Sequence, residues 1–266
     1  MPPGISALAR VLIAALAVAG GSSQLASTAR NDVAWHRSVR DHTARTQRTV
    51  TISQDTSVNV ETTTGSITIT GSDRSDLEIE IVRTAPTTSG IDQLSASIDL
   101  GPATLTISAV QREGNRNPRL TAAITINAPR ATRFTSVRTV DGRIRLTKLT
   151  GVIDAKSSNG DLVASELSGT IRLETTLGNL SLDRARLSDG GLIRLRAFQG
   201  GVKLQLDSVP PDARVLATTF NGRIRSKIPL DMKDRFGVRF GQTTLGRGEP
   251  VISIDVVTGD IEIGVK

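Results

Sequence analysis

The sequence predicts an all-β chain folded as a single β-solenoid of stacked two-strand coils, about 18–22 residues per coil, and three observations predict it. Apolar residues alternate with polar ones through most of the chain, as in "TVTIS" from Thr49, "SITIT" from Ser66 and "LEIEIV" from Leu77. This period of two, with its enrichment in β-branched residues, is the mark of strands with one buried face. Gly142, Gly151, Gly160, Gly169 and Gly178 recur every nine residues, and the motifs around them alternate between two kinds. When the repeats are laid in register, every inward column is aliphatic.

The elements follow in chain order. Arg10 precedes the apolar run Val11–Gly20, which is shorter than the roughly 20 residues a membrane span needs. A signal peptide over 1–19 is expected, with Ala17-Val18-Ala19 as its small-residue cleavage site and Ser27-Thr28-Ala29 as a second candidate. Residues 20–48 are polar and basic and read as a linker arm with room for a short helix or an edge strand. The solenoid is expected over 49–266. Its early strands include "SVNVE" (Ser57), "LSASIDL" (Leu94), "TLTISAV" (Thr104) and "TAAITINA" (Thr121), separated by Gly, Pro, Asn and Ser clusters. No stretch carries a helical period of useful length.

The repeat proper begins at "VDGRIRL" (Val140) and returns as "SNGDLVA" (Ser158), "TLGNLSL" (Thr176), "FQGGVKL" (Phe198) and "FNGRIRS" (Phe220). The second motif is "KLTGVIDA" (Lys148), "ELSGTIRL" (Glu166) and the longer "RLSDGGLIRL" (Arg186), so the true period is 18, with two strands and two corners. Stacking places Ile144, Leu162, Leu180, Val202 and Ile224 in one column and Ile153, Ile171 and Ile193 in another. One such unit buries too little to fold alone, whereas coils stacked about 4.8 Å apart share a continuous core. Gly at each corner permits a backbone bend that other residues resist. Later coils lengthen to 22 residues, the spacing of Gly178, Gly200 and Gly222, and "DSVPPDAR" (Asp207) supplies a corner loop. An antiparallel sandwich of hairpins competes, since Asp-Gly and Asn-Gly also favour hairpin turns. Hairpins give no reason for a fixed two-motif period. "TTTGSITIT" (Thr62) and "VVTGDIEIGVK" (Val256) repeat the same unit near both ends of the domain.

Composition narrows the function. The absence of cysteine removes disulfides, thiolate metal sites and cysteine nucleophiles. A net charge of +7 on 266 residues favours anionic surroundings. With export, these are anionic envelope polymers, or peripheral contact with an acidic membrane, or another envelope protein. Nucleic acid is not expected as a partner, because one Trp, no Tyr and five Phe leave few stacking platforms. The oligomeric state is not fixed by the sequence.

The residues "VETTTGSITITG" (Val60), "ITINAPRATRFTSVRTVDGRIRL" (Ile124), the Asn-Gly-Asp-Leu coil at Asn159 and the closing "VVTGDIEIGV" resemble the bacterial putative-adhesin group of domains, also called toastrack domains. The resemblance spans nearly all of the exported part. It implies a β-solenoid displayed at the periplasm or cell surface of a bacterium, with roles in adhesion or envelope-stress signalling and no catalytic residues to carry over. The chain departs from some members in lacking a fused membrane helix.

Asp141, Asp154, Asp161, Glu166, Glu174, Asp183 and Asp189 are scattered and do not form an acidic column. A polysaccharide lyase or glycoside hydrolase on a parallel β-helix is the alternative, and it requires two carboxylates at a set separation. His36 and His42 have no companion ligands in sequence, and no metal, catalytic or cofactor site is expected. The one feature above background is basic. Arg143, Arg145, Lys203, Arg223 and Arg225 fall on outward positions, with Lys203 expected beside Arg225, and form the candidate polyanion-binding row. Arg194, Arg196 and Lys227 also lie at strand positions. The plainer reading is that these cations keep the outward face soluble and blunt exposed edges.

Overall fold

The computed structural model describes residues 41–112 and 117–266. The expected signal peptide, Trp35, His36 and most of the arm lie outside the described residues. The described chain forms a two-walled β-solenoid, and its residues pair into one 20-stranded system.

The N-terminal part runs β1 (His42–Val50), β2 (Ser57–Ser72), β3 (Leu77–Ala85), α1 (Thr88–Asp92), β4 (Leu94–Leu100), β5 (Thr104–Gln111) and β6 (Thr121–Pro129). The repeats follow as β7 (Arg133–Asp141), β8 (Ile144–Thr147), β9 (Thr150–Asn159), β10 (Leu162–Ser165), β11 (Ser168–Leu177) and β12 (Leu180–Ala185). They continue as β13 (Leu192–Gln199), β14 (Val202–Leu206), β15 (Ala213–Asn221) and β16 (Ile224–Ser226). The chain closes with β17 (Asp231–Arg235), β18 (Val238–Leu245), β19 (Val251–Thr258) and β20 (Ile261–Val265).

Odd-numbered repeat strands form one wall and even-numbered ones the other. In the first wall the neighbours are β1, β3, β6, β2, β8, β10, β12, β14, β20 and β16. In the second they are β4, β5, β2, β7, β9, β11, β13, β19, β15, β18 and β17. The long β2 spans both walls: Ser57–Thr62 pair with β5, and Gly65–Ser72 pair with β6. The strands read from sequence as "SVNVE" and "SITIT" are therefore one bent strand. Repeat strands are parallel, while β1, β3 and β4 at one end and β17 and β18 at the other are antiparallel additions. Pairing of His42–Arg48 with β3 takes these residues out of the expected arm and into the domain.

The expected columns form, with one rearrangement. Ile144, Leu162, Leu180 and Val202 lie in register and are buried, as are Ile153, Ile171 and Ile193. Ile224, however, does not follow Val202. Strand β20 lies between β14 and β16, and Ile261 separates the two side chains. The reason is local. Strand β18 folds back antiparallel on one edge of β15, so β19, which pairs with β15 in parallel, occupies the other edge, against β13. At the opposite end β2 likewise sits one coil in, between β5 and β7 and between β6 and β8.

The corner glycines are imposed by neighbouring coils. A Cβ on Gly142 would stand 1.5 Å from the Gly65 carbonyl oxygen, and one on Gly160 2.1 Å from that of Gly142. Nothing larger than hydrogen fits this approach. The carbonyls meeting there accept buried hydroxyls: Ser157 donates to Gly142 O at 3.2 Å, Thr175 to Gly160 O at 3.1 Å, and Thr219 to Gly259 O at 3.0 Å. Each hydroxyl satisfies an acceptor that burial would otherwise penalise. The opposite corners use left-handed residues with side chains, Lys148, Glu166 and Arg184, at φ between 51° and 58°.

Candidate functional site

On the outer face of the first wall the five cations named from sequence are present, but they do not form an uninterrupted row. One outward column reads Thr68, Arg145, Val163, Ser181, Lys203, Glu262 and Arg225. The expected adjacency of Lys203 and Arg225 is corrected: the insertion of β20 puts Glu262 between them, and Lys203 pairs with it at 3.3 Å. Arg225 instead reaches Asp260 at 3.1 Å, and Arg143 reaches Asp161 at 3.2 Å. Arg223 donates its backbone N–H to Asp260 at 2.9 Å. Arg145 makes no ion pair among the described residues.

Two of these acids serve the corner backbone. Asp161 accepts the N–H of Asn179 at 3.0 Å, and this bond, with Arg143, holds its carboxyl below the usual range. Asp260 is lowered in the same way, first by the N–H of Arg223 and then by Arg225. Asn179 continues the ladder by accepting the N–H of Gly201 at 2.9 Å. Three more of the acids weighed as catalytic candidates are in ion pairs: Glu174 with Lys156 at 2.8 Å, Glu166 with Arg184 at 2.7 Å and Asp183 with Arg184 at 3.2 Å. Alternating signs on neighbouring rungs are favourable cross-strand pairs.

The second wall breaks this alternation. Arg172 on β11 and Arg194 on β13 are in register on adjacent rungs, both exposed, and neither makes an ion pair among the described residues. Like charges directly opposite each other destabilise a sheet. The step from Arg172 to Arg194 therefore works against the sheet, although Arg172 has Asp154 in register on its other side. Arg194, Arg196 and Phe198 are the successive outward positions of β13. Arg196 contacts Asp255 at 3.6 Å, a long ion pair at the surface.

Two aromatic side chains lie beside Arg196. Of the five Phe only Phe134 is buried, and Phe198, Phe220, Phe236 and Phe240 are exposed. Phe198 and Phe220, 58% and 54% exposed, line one shallow groove with Val257, Arg196 and Asp255. Exposed apolar patches rimmed by polar residues mark interaction surfaces. In the sequence the signal was the outward triplet Arg-x-Arg-x-Phe within "LIRLRAFQ"; Arg172 and Phe220 join it only through the stacking order. No group of His, Asp and Glu that would hold a metal ion occurs among the described residues, and no helix among them is long and apolar enough to cross a membrane.

No family model matches the chain, and no curated protein does. Solved structures do. A putative cell adhesion protein from Clostridium sporogenes aligns over 84% of this chain and 100% of its own, at 12% identity and TM-score 0.49. A putative lipid binding protein from Parabacteroides distasonis aligns over 82% and 96%, at 12% identity and TM-score 0.35. A putative adhesin from Bacteroides fragilis aligns over 83% and 97%, at 13% identity and TM-score 0.32. All three TM-scores are below 0.5, and the fold stands on the strand register above.

Proposed function

We propose that this chain is an exported, non-enzymatic, adhesin-like binding module of the bacterial envelope that holds an anionic envelope polymer on the outer face of its second wall. The observation that carries the reading is the unpaired, in-register couple Arg172 and Arg194. Two arginines on rungs about 4.8 Å apart suit repeated carboxylates, sulfates or phosphates along a chain. Phe198 and Phe220 on the same face offer flat apolar contact to sugar rings. The rigid stack supplies preorganisation, so binding costs little ordering of the protein. Export rests on the apolar run at Val11–Gly20. A part in envelope-stress signalling would follow if polymer occupancy were passed to another envelope protein.

The first-wall row of Arg143, Arg145, Lys203, Arg223 and Arg225 remains a second polyanion surface, favoured by the unpaired Arg145. Retention on an immobilised acidic polysaccharide, at low and moderate salt, separates the two. The reading predicts salt-sensitive retention that Arg172→Glu with Arg194→Glu abolishes. Loss on reversing Arg143, Arg145, Arg223 and Arg225 instead would move the site to the first wall. Retention unaffected by either set would overturn both, and cleavage of the polysaccharide would favour the lyase or hydrolase alternative.

A further inference from the structure

The hairpin of β17 and β18 lies outside the solenoid repeat, and its tip is built against the usual rules. Its two turn residues are Phe236 and Gly237, at φ of 50° and 80°. A two-residue turn with both φ positive normally takes Asn-Gly or Asp-Gly, because a bulky side chain is strained there. Phe236 is nonetheless at the apex and fully exposed, with no contact that would offset the strain. Costly conformations of this kind persist where they serve something other than folding.

The flanks agree. Met232 and Phe240, 46% and 39% exposed, lie on opposite faces of the hairpin, one opposite Gly241 and the other opposite Lys233. Lys233, Arg235 and Arg239 surround the tip. The two hairpin acids are taken up locally, Asp231 by Lys233 at 3.0 Å and Asp234 by Arg239 at 3.8 Å, whereas Arg235, next to Phe236, makes no ion pair among the described residues. Every residue of β17 is exposed, so the strand fills no core.

We infer that this hairpin docks the protein on an anionic phospholipid surface, with Phe236 inserted at the headgroup boundary and Arg235 against lipid phosphates. An apex of one aromatic side chain suits a bilayer better than a protein. A specific protein interface buries upwards of about 1,000 Å², which a hairpin tip cannot present. A bilayer instead accepts a few apolar side chains to a depth of about 5–10 Å and rewards neighbouring cations when its lipids are acidic. Aromatic rings are well placed at that boundary. A polymer bound by Arg172 and Arg194 would engage cations on the wall, not Phe236, so the two surfaces are separable.

The test is flotation of the full chain with phosphatidylcholine vesicles with and without phosphatidylglycerol. The wild type is expected to float with the acidic vesicles. Phe236→Asn creates the preferred Asn-Gly turn, so it keeps the hairpin and the melting temperature, yet is expected to weaken vesicle binding about tenfold or more. Phe236→Trp is expected to retain binding, and so is Arg172→Glu with Arg194→Glu. Four results would each overturn the inference: no flotation of the wild type, equal flotation of Phe236→Asn, equal binding to neutral vesicles, or loss only on reversing Arg172 and Arg194. Self-association in solution that depends on Phe236, without flotation, would assign the tip to a contact between copies and overturn it as well.

Discussion

Arg172 on β11 and Arg194 on β13 occupy the same outward position on adjacent parallel rungs, and neither makes an ion pair among the described residues, although Asp154 lies in register on the far side of Arg172. Such a pair works against the sheet, so relieving it should help folding and harm binding. Arg194→Ser is expected to raise stability by about 0.5 kcal/mol, and to weaken retention on an acidic polysaccharide severalfold. Denaturant midpoints and retention measured on the same preparation check both halves. A variant that is destabilised, or that binds unchanged, would speak against a functional role for the pair.

Glu262 makes the opposite case on the first wall, standing in register with Lys203 on one side and Arg225 on the other. Glu262→Lys would set three cations on consecutive rungs. A loss of about 1 kcal/mol is expected at low salt, shrinking as salt is added, because all three side chains are near the surface. Thermal melts across ionic strength would read this directly.

Gly160 tests the corner. Its φ is 141°, and a Cβ there would meet the Gly142 carbonyl oxygen at 2.1 Å. Gly160→Ala should cost about 3 kcal/mol through strain and a forced separation of two coils. Gly190, with φ of 68° and open space around its Cβ position, isolates the conformational part alone. Gly190→Ala should cost about 1 kcal/mol. Equilibrium unfolding of both variants gives the comparison.

Asp161 links stability to pH. Its carboxyl titrates below the ordinary range, mainly because the Asn179 N–H bonds to the charged form. A group depressed in the folded state contributes fully above its unfolded value, about 3.9, and loses that contribution as pH falls through the folded value. Asp161→Asn keeps an oxygen acceptor for Asn179 but removes the charge. The variant should be less stable than wild type at pH 7, and the two curves should converge as pH drops below about 4. Curves that stay parallel down to acid pH would refute the assignment.

The repeat strands were legible in the sequence because two periods coincide, two residues within a strand and 18 between coils. Ile144, Leu162, Leu180 and Val202 could be aligned by counting, and they stack as counted. Counting failed at Ile224. The unit at Gly259 carries the same Gly-x-Ile-x-Ile pattern and would fit any rung, so composition alone leaves its place open. Its position is set by a non-local competition for the edges of β15, which the antiparallel β18 resolves. The candidate site inherits this. Arg194, Arg196 and Phe198 are neighbours along one strand and could be read together, whereas Arg172 and Phe220 approach them only across strands β11, β19 and β15. The hairpin at Phe236 was not legible either, because both faces of β17 meet solvent and no alternation results.

The binding face is tested most directly by arginine-selective chemical labelling of the folded protein, with and without a saturating acidic polysaccharide, read out by mass spectrometry residue by residue. The account predicts protection of Arg172, Arg194 and Arg196, with Arg143, Arg145, Arg223 and Arg225 labelled as before. Protection of the latter four with Arg172 and Arg194 unchanged would contradict it.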